Sequence, residues 1–337
     1  MIISWNTTRR CNQFCEHCYR EAGPDADPNE LSTEEGKALL DEIAKADFRI
    51  MVLSGGEPLV RPDMLDLIRH GASRGLRVVL GTNGTLLTPE LARSLKEAGC
   101  ARVGISLDST DPARHNKLRR MDDAWQRSVE GMRYCREAGL PFQIHTTVTE
   151  RNKDEILALT DLAVELGAAA HHIFFLVPTG RGVDLEQESL KAREYEHLLN
   201  QILTKQQEVG IELKPTCAPH FMRIARRRGI PMRFTKGCLA GTHYCVITPN
   251  GDVHPCPYLP IKVGNVRETP FSEMWANAPI FQEFRAAELK GRCGRCDCQD
   301  ICGGCRARAY YYSNGDYLAE EPWCLYLPAE TEAPAVG

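Results

Sequence analysis

Six short runs of apolar and β-branched residues mark the first half of the chain, at residues 2–5, 50–53, 77–80, 102–107, 143–148 and 171–177. Longer stretches of helical periodicity separate them. Strands joined through helices pair in parallel, because a tight hairpin cannot return the chain in the same direction. The pattern predicts an α/β fold built on a parallel sheet, either open and doubly wound or closed as a barrel. Local signals agree: Ser32 and Glu35 form a capping box at the head of a helix over 32–46, and Thr88-Pro89 opens another that Gly99 can end.

Composition narrows the class. With 337 residues, 43% of them hydrophobic, the chain can bury a large core without covalent staples. A net charge of −4 sets up no basic field toward nucleic acid, and no apolar run approaches the roughly 20 residues of a bilayer span. Neither nucleic acid nor membrane is an expected partner. The first residues lack the stages of a signal peptide, so the cytoplasm is the expected location. Fifteen cysteines in a reducing compartment are poorly explained as disulfides, which leaves metal or cluster ligation.

The organisation changes along the chain. Residues 1–186 carry the strand and helix alternation. Residues 187–236 read as a bridging segment with helices over 187–209 and 218–228. Residues 237–327 hold nine cysteines among glycines, prolines and turn residues, with one amphipathic stretch over 272–289. Such a region needs metal to fold. Residues 328–337 read as a frayed tail.

Cys11, Cys15 and Cys18 form C-x3-C-x2-C directly after the first strand. Three thiolates suit a site with one open position: structural zinc closes with a fourth Cys or His, whereas a 4Fe–4S cluster on three protein ligands leaves one iron free. His17 reads as a neighbour of that site rather than a ligand. Ser54-Gly55-Gly56-Glu57-Pro58 follows the second strand, and the two motifs together resemble the radical S-adenosylmethionine (SAM) superfamily. The resemblance implies a partial, TIM-like (β/α)6 barrel in which the open iron chelates SAM, and an electron through the cluster releases a 5′-deoxyadenosyl radical. It sets Gly55, Gly56, Glu57 and Pro58 against the methionine amino group and Ser106 and Asp108 near the ribose or the substrate. It also sets Arg119 near the SAM carboxylate, Val177 near adenine and Asn83 in the same mouth. Asn83 and Asp108 equally suit turn capping, and Arg119 a solvated helix edge.

The later cysteines, Cys238, Cys256, Cys293, Cys296, Cys302, Cys305 and Cys324, are similar in spacing to the SPASM extension of this superfamily, a small loop-rich domain with two auxiliary 4Fe–4S clusters. Carried over, a near cluster takes Cys238, Cys256 and Cys305, and a far cluster takes Cys293, Cys296, Cys302 and Cys324. Gly303-Gly304 makes the last spacing one residue shorter than is common in that extension. The near set lacks one ligand: Cys245 is the first choice, with Cys217 or an open iron as alternatives. Cys298 is spare. The resemblance thus implies three 4Fe–4S clusters and SAM, against structural zinc as the competing reading of the C-x2-C pairs.

Phrases such as Gly251-Asp252-Val253-His254-Pro255-Cys256-Pro257-Tyr258 and Cys302-Gly303-Gly304-Cys305-Arg306-Ala307-Arg308 look like the haem-biosynthesis branch, which holds the haem d1 enzyme, didecarboxysirohaem deacetylase and haem synthase. The implied substrate is an iron tetrapyrrole that loses side-chain carbon, with a flavodoxin or ferredoxin-type electron donor. The alternative is a SPASM peptide or protein maturase, although only ten residues precede the triad and leave no room there for a peptide-recognition domain. Tetrapyrrole carboxylates would suit the basic run Arg223, Arg226, Arg227 and Arg228, and His220 beside Cys217 would suit an axial iron ligand or a general acid. A solvated basic helix face and an idle loop histidine are the plainer readings.

Overall fold

The computed structural model describes residues 1–328, so all of the expected tail except Pro328 lies outside the described residues. All six expected strands form: β1 (Ile2–Asn6), β2 (Ile50–Ser54), β3 (Arg77–Thr82), β4 (Arg102–Ser106), β5 (Phe142–Val148) and β6 (Ala170–Phe175). They pair in parallel and in sequence order. A seventh strand, β7 (Glu212–Thr216), adds at one edge. Its Glu-Leu-Lys-Pro-Thr has no strand signal, and an edge is where a strand tolerates Pro215.

The same sheet runs on into the cysteine-rich region. The strand β8 (Tyr244–Ile247) lies parallel against the free side of β1, with Ile2 opposite Tyr244 and Trp5 opposite Ile247. Antiparallel β9 (Asp252–His254) and β10 (Gly264–Asn265) follow, so the order is β10-β9-β8-β1-β2-β3-β4-β5-β6-β7. This is the partial-barrel order, with its two edges on different strands.

Alternation along β1 sends Ile3 and Trp5 to the helix layer and Ser4 and Asn6 to the other face. The helix Thr33–Lys45 starts at the expected capping box and buries Leu39, Leu40 and Ile43 at helical spacing. Each such side chain contributes about 1.5–3 kcal/mol. The helix comes close because Gly36 has no side chain; a Cβ there would meet the Trp5 ring at 2.5 Å. The amphipathic stretch 272–289 is two helices, Phe271–Asn277 and Pro279–Ala286, since Pro279 cannot continue the first and suits the start of the second. Among the described residues, no helix is long and apolar enough to cross a membrane.

Candidate active site and cysteine groups

The loop carrying Cys11, Cys15 and Cys18 leaves the C-terminal end of β1, the edge where parallel barrels place their chemistry. The glycines after β2 hold this loop by its backbone. A Cβ on Gly55, at φ +151°, would meet the Thr8 carbonyl at 2.8 Å, and one on Gly56 would meet the Arg10 carbonyl at 2.3 Å. In their place Gly56 N–H donates to Thr8 at 2.7 Å and Glu57 N–H to Arg10 at 2.9 Å. The close approach these glycines permit among the described residues is to the cysteine loop.

Glu57 is buried. Its buried carboxylate accepts from Thr82 Oγ1 at 2.7 Å, Asn83 N–H at 2.8 Å and Leu59 N–H at 3.0 Å. Burial pushes its pKa up to about 7 against these three donors. The side chain ties β2 to β3 instead of facing an open position. Pro58 begins the short 3-10 turn that Glu57 caps. Asn83 caps its turn through Thr85 N–H at 2.9 Å and donates to Asn12 of the cysteine loop at 2.8 Å.

Asp108 and Arg119 meet as a buried pair, carboxylate to Nε at 2.7 Å, and Arg119 Nη1 lies 3.9 Å from the Cys15 sulfur. Burial alone would raise the Asp108 carboxyl; Arg119 and the nearby His17 and His115, with the Thr147 N–H, bring it down to about 2. Arg119 is no solvated helix edge, and Asp108, 1% exposed, holds it in place. Ser106 is half-buried with its hydroxyl 3.5 Å from the Thr82 carbonyl. Val177 is buried in an apolar cluster with Cys305, against which Cys217, Cys238 and Cys256 pack. Sequence reasoning missed Arg181, which donates to the Cys15 carbonyl and the Ala22 carbonyl, each at 2.9 Å, and covers the Phe14 ring. Its signal was the Gly180-Arg181-Gly182 step just after β6.

The near group corrects one ligand choice. Cys217, Cys238, Cys256 and Cys305 sit close enough for each buried thiol to feel the others, and burial pushes Cys217, Cys256 and Cys305 up. Cys245 is elsewhere: it pairs in register with Ile3, and β-alternation buries it completely in the helix-side core. Cys217 instead directly follows the edge strand β7, with φ +57°, a conformation a non-glycine residue rarely adopts without cause. The group lies one aromatic contact from the triad, through Tyr19 and Tyr258 with ring centroids 4.8 Å apart.

Cys293, Cys296, Cys302 and Cys324 line one cleft with Cys298, His220 and Arg223. Here His220 is no open ligand. It is 1% exposed, its Nε2 lies 2.6 Å from the Glu321 carboxylate, and it sits beside the Cys324 thiol. The basic helix His220–Arg227 is buried at Arg223 and exposed at Arg226 and Arg227. Arg223 pairs with Glu196 at 2.6 Å, Arg226 with Asp300 at 3.3 Å and Arg227 with Asp297 at 3.4 Å, while Arg228 donates to the Asn200 carbonyl at 3.0 Å. These arginines dock the helix onto the far cysteine loop and onto the preceding helix.

Structural zinc makes a geometric demand on the cysteines. Four sulfurs around one zinc ion, each about 2.3 Å away, lie about 3.8 Å apart. Among the described residues only Cys296, Asp297 and Cys298 form a group of three donors within 4.8 Å of one another. Neither the triad nor either complete C-terminal set forms so tight a group. Burial pushes Cys11 up to about 12, opposed by one backbone N–H and reinforced by Glu57, Cys15 and Cys18. Such sulfurs ionise on binding metal.

Comparison with known proteins agrees. Residues 5–163 match the radical SAM superfamily, and residues 238–306 match the SPASM iron–sulfur cluster-binding domain. The fold is that of SuiB from Streptococcus suis bound to S-adenosylmethionine, with a TM-score of 0.77 at 18% identity over 96% of this chain and 77% of that one. The chain is a radical SAM enzyme with a SPASM domain, and it binds SAM and 4Fe–4S clusters. It is 46% identical to the AdoMet-dependent heme synthase of Methanosarcina barkeri over 98% of this chain and 97% of that protein. It is 33% identical to the Fe-coproporphyrin III synthase of the same organism over 98% and 88%. Within the superfamily, it belongs to the haem-biosynthesis branch.

Proposed function

We propose that this chain forms haem by oxidative decarboxylation of propionate side chains on an iron-coproporphyrin, using three 4Fe–4S clusters. One sits on Cys11, Cys15 and Cys18, a near one on Cys217, Cys238, Cys256 and Cys305, and a far one on Cys293, Cys296, Cys302 and Cys324. The observation that carries the substrate is the 46% identity to a heme synthase over nearly the whole of both chains, against 33% to the Fe-coproporphyrin III synthase.

When bound, the triad's cluster and SAM supply a 5′-deoxyadenosyl radical. The chain's own residues hold the site for it: Gly55 and Gly56 fix the loop backbone, Arg181 clamps it from β6, and the Asp108–Arg119 pair sets a fixed cation beside Cys15. Removing one hydrogen atom from a propionate methylene and breaking the bond to the carboxylate carbon leaves a vinyl group, carbon dioxide and one electron. Tyr19 and Tyr258, with touching rings, lie between the triad and the near cysteine group, which would accept that electron if a cluster is held there. A flavodoxin or ferredoxin-type protein supplies the electron that starts each SAM cleavage.

Anaerobic incubation of reconstituted enzyme with SAM, reductant and iron-coproporphyrin, read by mass spectrometry, tests the proposal. Haem and 5′-deoxyadenosine are the expected products. An unchanged iron-coproporphyrin, with turnover of a sirohaem-derived porphyrin or of a peptide instead, refutes it.

A further inference from the structure

Arg306 opens the helix Arg306–Tyr312 directly after Cys305 and is 4% exposed. Its guanidinium donates to the carbonyls of Tyr317 at 3.0 Å and Ala319 at 2.7 Å, and to the Cys293 sulfur at 3.6 Å; Nε reaches the Gly304 carbonyl at 3.4 Å. None of these described partners is a carboxylate. A buried cation without an anion costs several kcal/mol of desolvation. Its neighbours show the usual remedy: Arg308 lies 2.7 Å from Glu321, Arg223 2.6 Å from Glu196 and Arg292 3.0 Å from Glu320. Among the described residues, the side-chain acceptor offered to Arg306 is the sulfur of Cys293, a member of the far set.

The backbone is shaped to admit this contact. Gly304 has φ +60°, and a Cβ there would meet Arg306 Nη2 at 2.5 Å, Glu321 Cβ at 2.8 Å and the Cys293 sulfur at 3.3 Å. The shortened Gly303-Gly304 step is thus where the guanidinium passes to Cys293.

We propose that Arg306 is the resident counter-cation of the far cluster and holds its reduction potential above that of the near cluster. The proposal rests on the two-cluster reading of the C-terminal cysteines. Hydrogen bonds and positive charge at a ligand sulfur stabilise the more negative, reduced cluster. At the near group the corresponding cation, Arg308, donates to the Cys217 carbonyl at 2.7 Å but is paired with Glu321. The other oxygen of Glu321 faces His220 in the far cleft, so that carboxylate is neutralised on both sides, while Arg306 keeps no carboxylate partner among the described residues. The asymmetry makes the far cluster the end of the chain where an electron settles.

Reductive titration of the anaerobically reconstituted full-length protein, followed by electron paramagnetic resonance, tests this. The triad's signal is the one that changes when SAM is added. The parent should show two distinct auxiliary potentials, and Arg306→Gln should lower only the higher. At the poise where the parent's far cluster is half reduced, the variant's reduced-to-oxidised ratio should fall at least roughly tenfold. Arg306→Lys, which keeps the charge, should stay near the parent. Coincident auxiliary potentials in the parent, a shift of the lower potential, or no shift overturns the proposal. Should Arg306→Gln fail to assemble the far cluster, Arg306→Lys decides: full iron at the parent potential supports the role, and a lowered potential refutes it. Iron analysis of the parent separates the two levels, since protein short of one cluster's iron defeats the two-cluster reading itself and this proposal with it.

Discussion

The Arg119 guanidinium bridges Asp108, 2.7 Å away, and the Cys15 sulfur, 3.9 Å away, with both partners buried. The carboxylate comes from the end of β4 and the sulfur from the loop after β1, so one ion pair couples the sheet to the triad.

Asp108→Asn should therefore cost about 3–5 kcal/mol of apo-protein stability at neutral pH, because it leaves Arg119 buried without its anion. The pH dependence has a fixed sign. The folded carboxyl titrates near 2, below the ordinary value of about 3.9, so its stabilisation is present above pH 4 and is lost as pH falls from about 4 toward 2. Thermal unfolding of parent and variant should show a gap that narrows over that window; a constant gap would mean that the pair's charge is not what the variant lost.

Gly56→Ala should displace the cysteine loop, since the added methyl meets the Arg10 carbonyl at 2.3 Å. Overpacking of this kind costs about 1–3 kcal/mol. Iron in the triad and SAM cleavage should fall together, whereas Gly210→Ala, with no atom within 4 Å of the new Cβ, should leave both unchanged. Equal activity of the two variants would show that the loop is held some other way.

Cys217→Ala should lose the near cluster's iron, and Cys245→Ala should keep the full complement. Metal and sulfide analysis after anaerobic reconstitution separates them. The reverse result would return Cys245 to the ligand set in spite of its place in the helix-side core.

Replacing Arg226 and Arg227 with Gln should change iron-tetrapyrrole binding less than twofold. Their described ion pairs are half-exposed contacts to Asp300 and Asp297, which solvent and salt screen. Anaerobic absorbance titration measures this; a tenfold loss of affinity would put substrate carboxylates at these arginines after all.

Much of the frame was legible from residues 2–177 because burial in a parallel sheet leaves an uninterrupted apolar run, and the Ser32 box and Thr88-Pro89 are local signals. β7 was not legible, since pairing at an edge rather than composition makes Glu212–Thr216 a strand. The cysteines announced themselves by spacing, yet the choice between Cys217 and Cys245 depended on the alternation of β8 against β1, a long-range register. The ion pairs of the basic run were hidden for a related reason: their carboxylates lie at Glu196, Asp297 and Asp300, distant in sequence from Arg223, Arg226 and Arg227.

The pairing of β1 between β2 and β8 has a consequence for how the chain is made. The strand that leads to the triad finds one neighbour early and waits for the other until synthesis has passed residue 247. Until then its free edge is a template for any extended segment nearby, and closing so long a loop is slow. Overproduction at low temperature, or with a holdase chaperone present, should raise the yield of soluble polypeptide more than added iron does, because the vulnerable interval precedes assembly of the cysteine region.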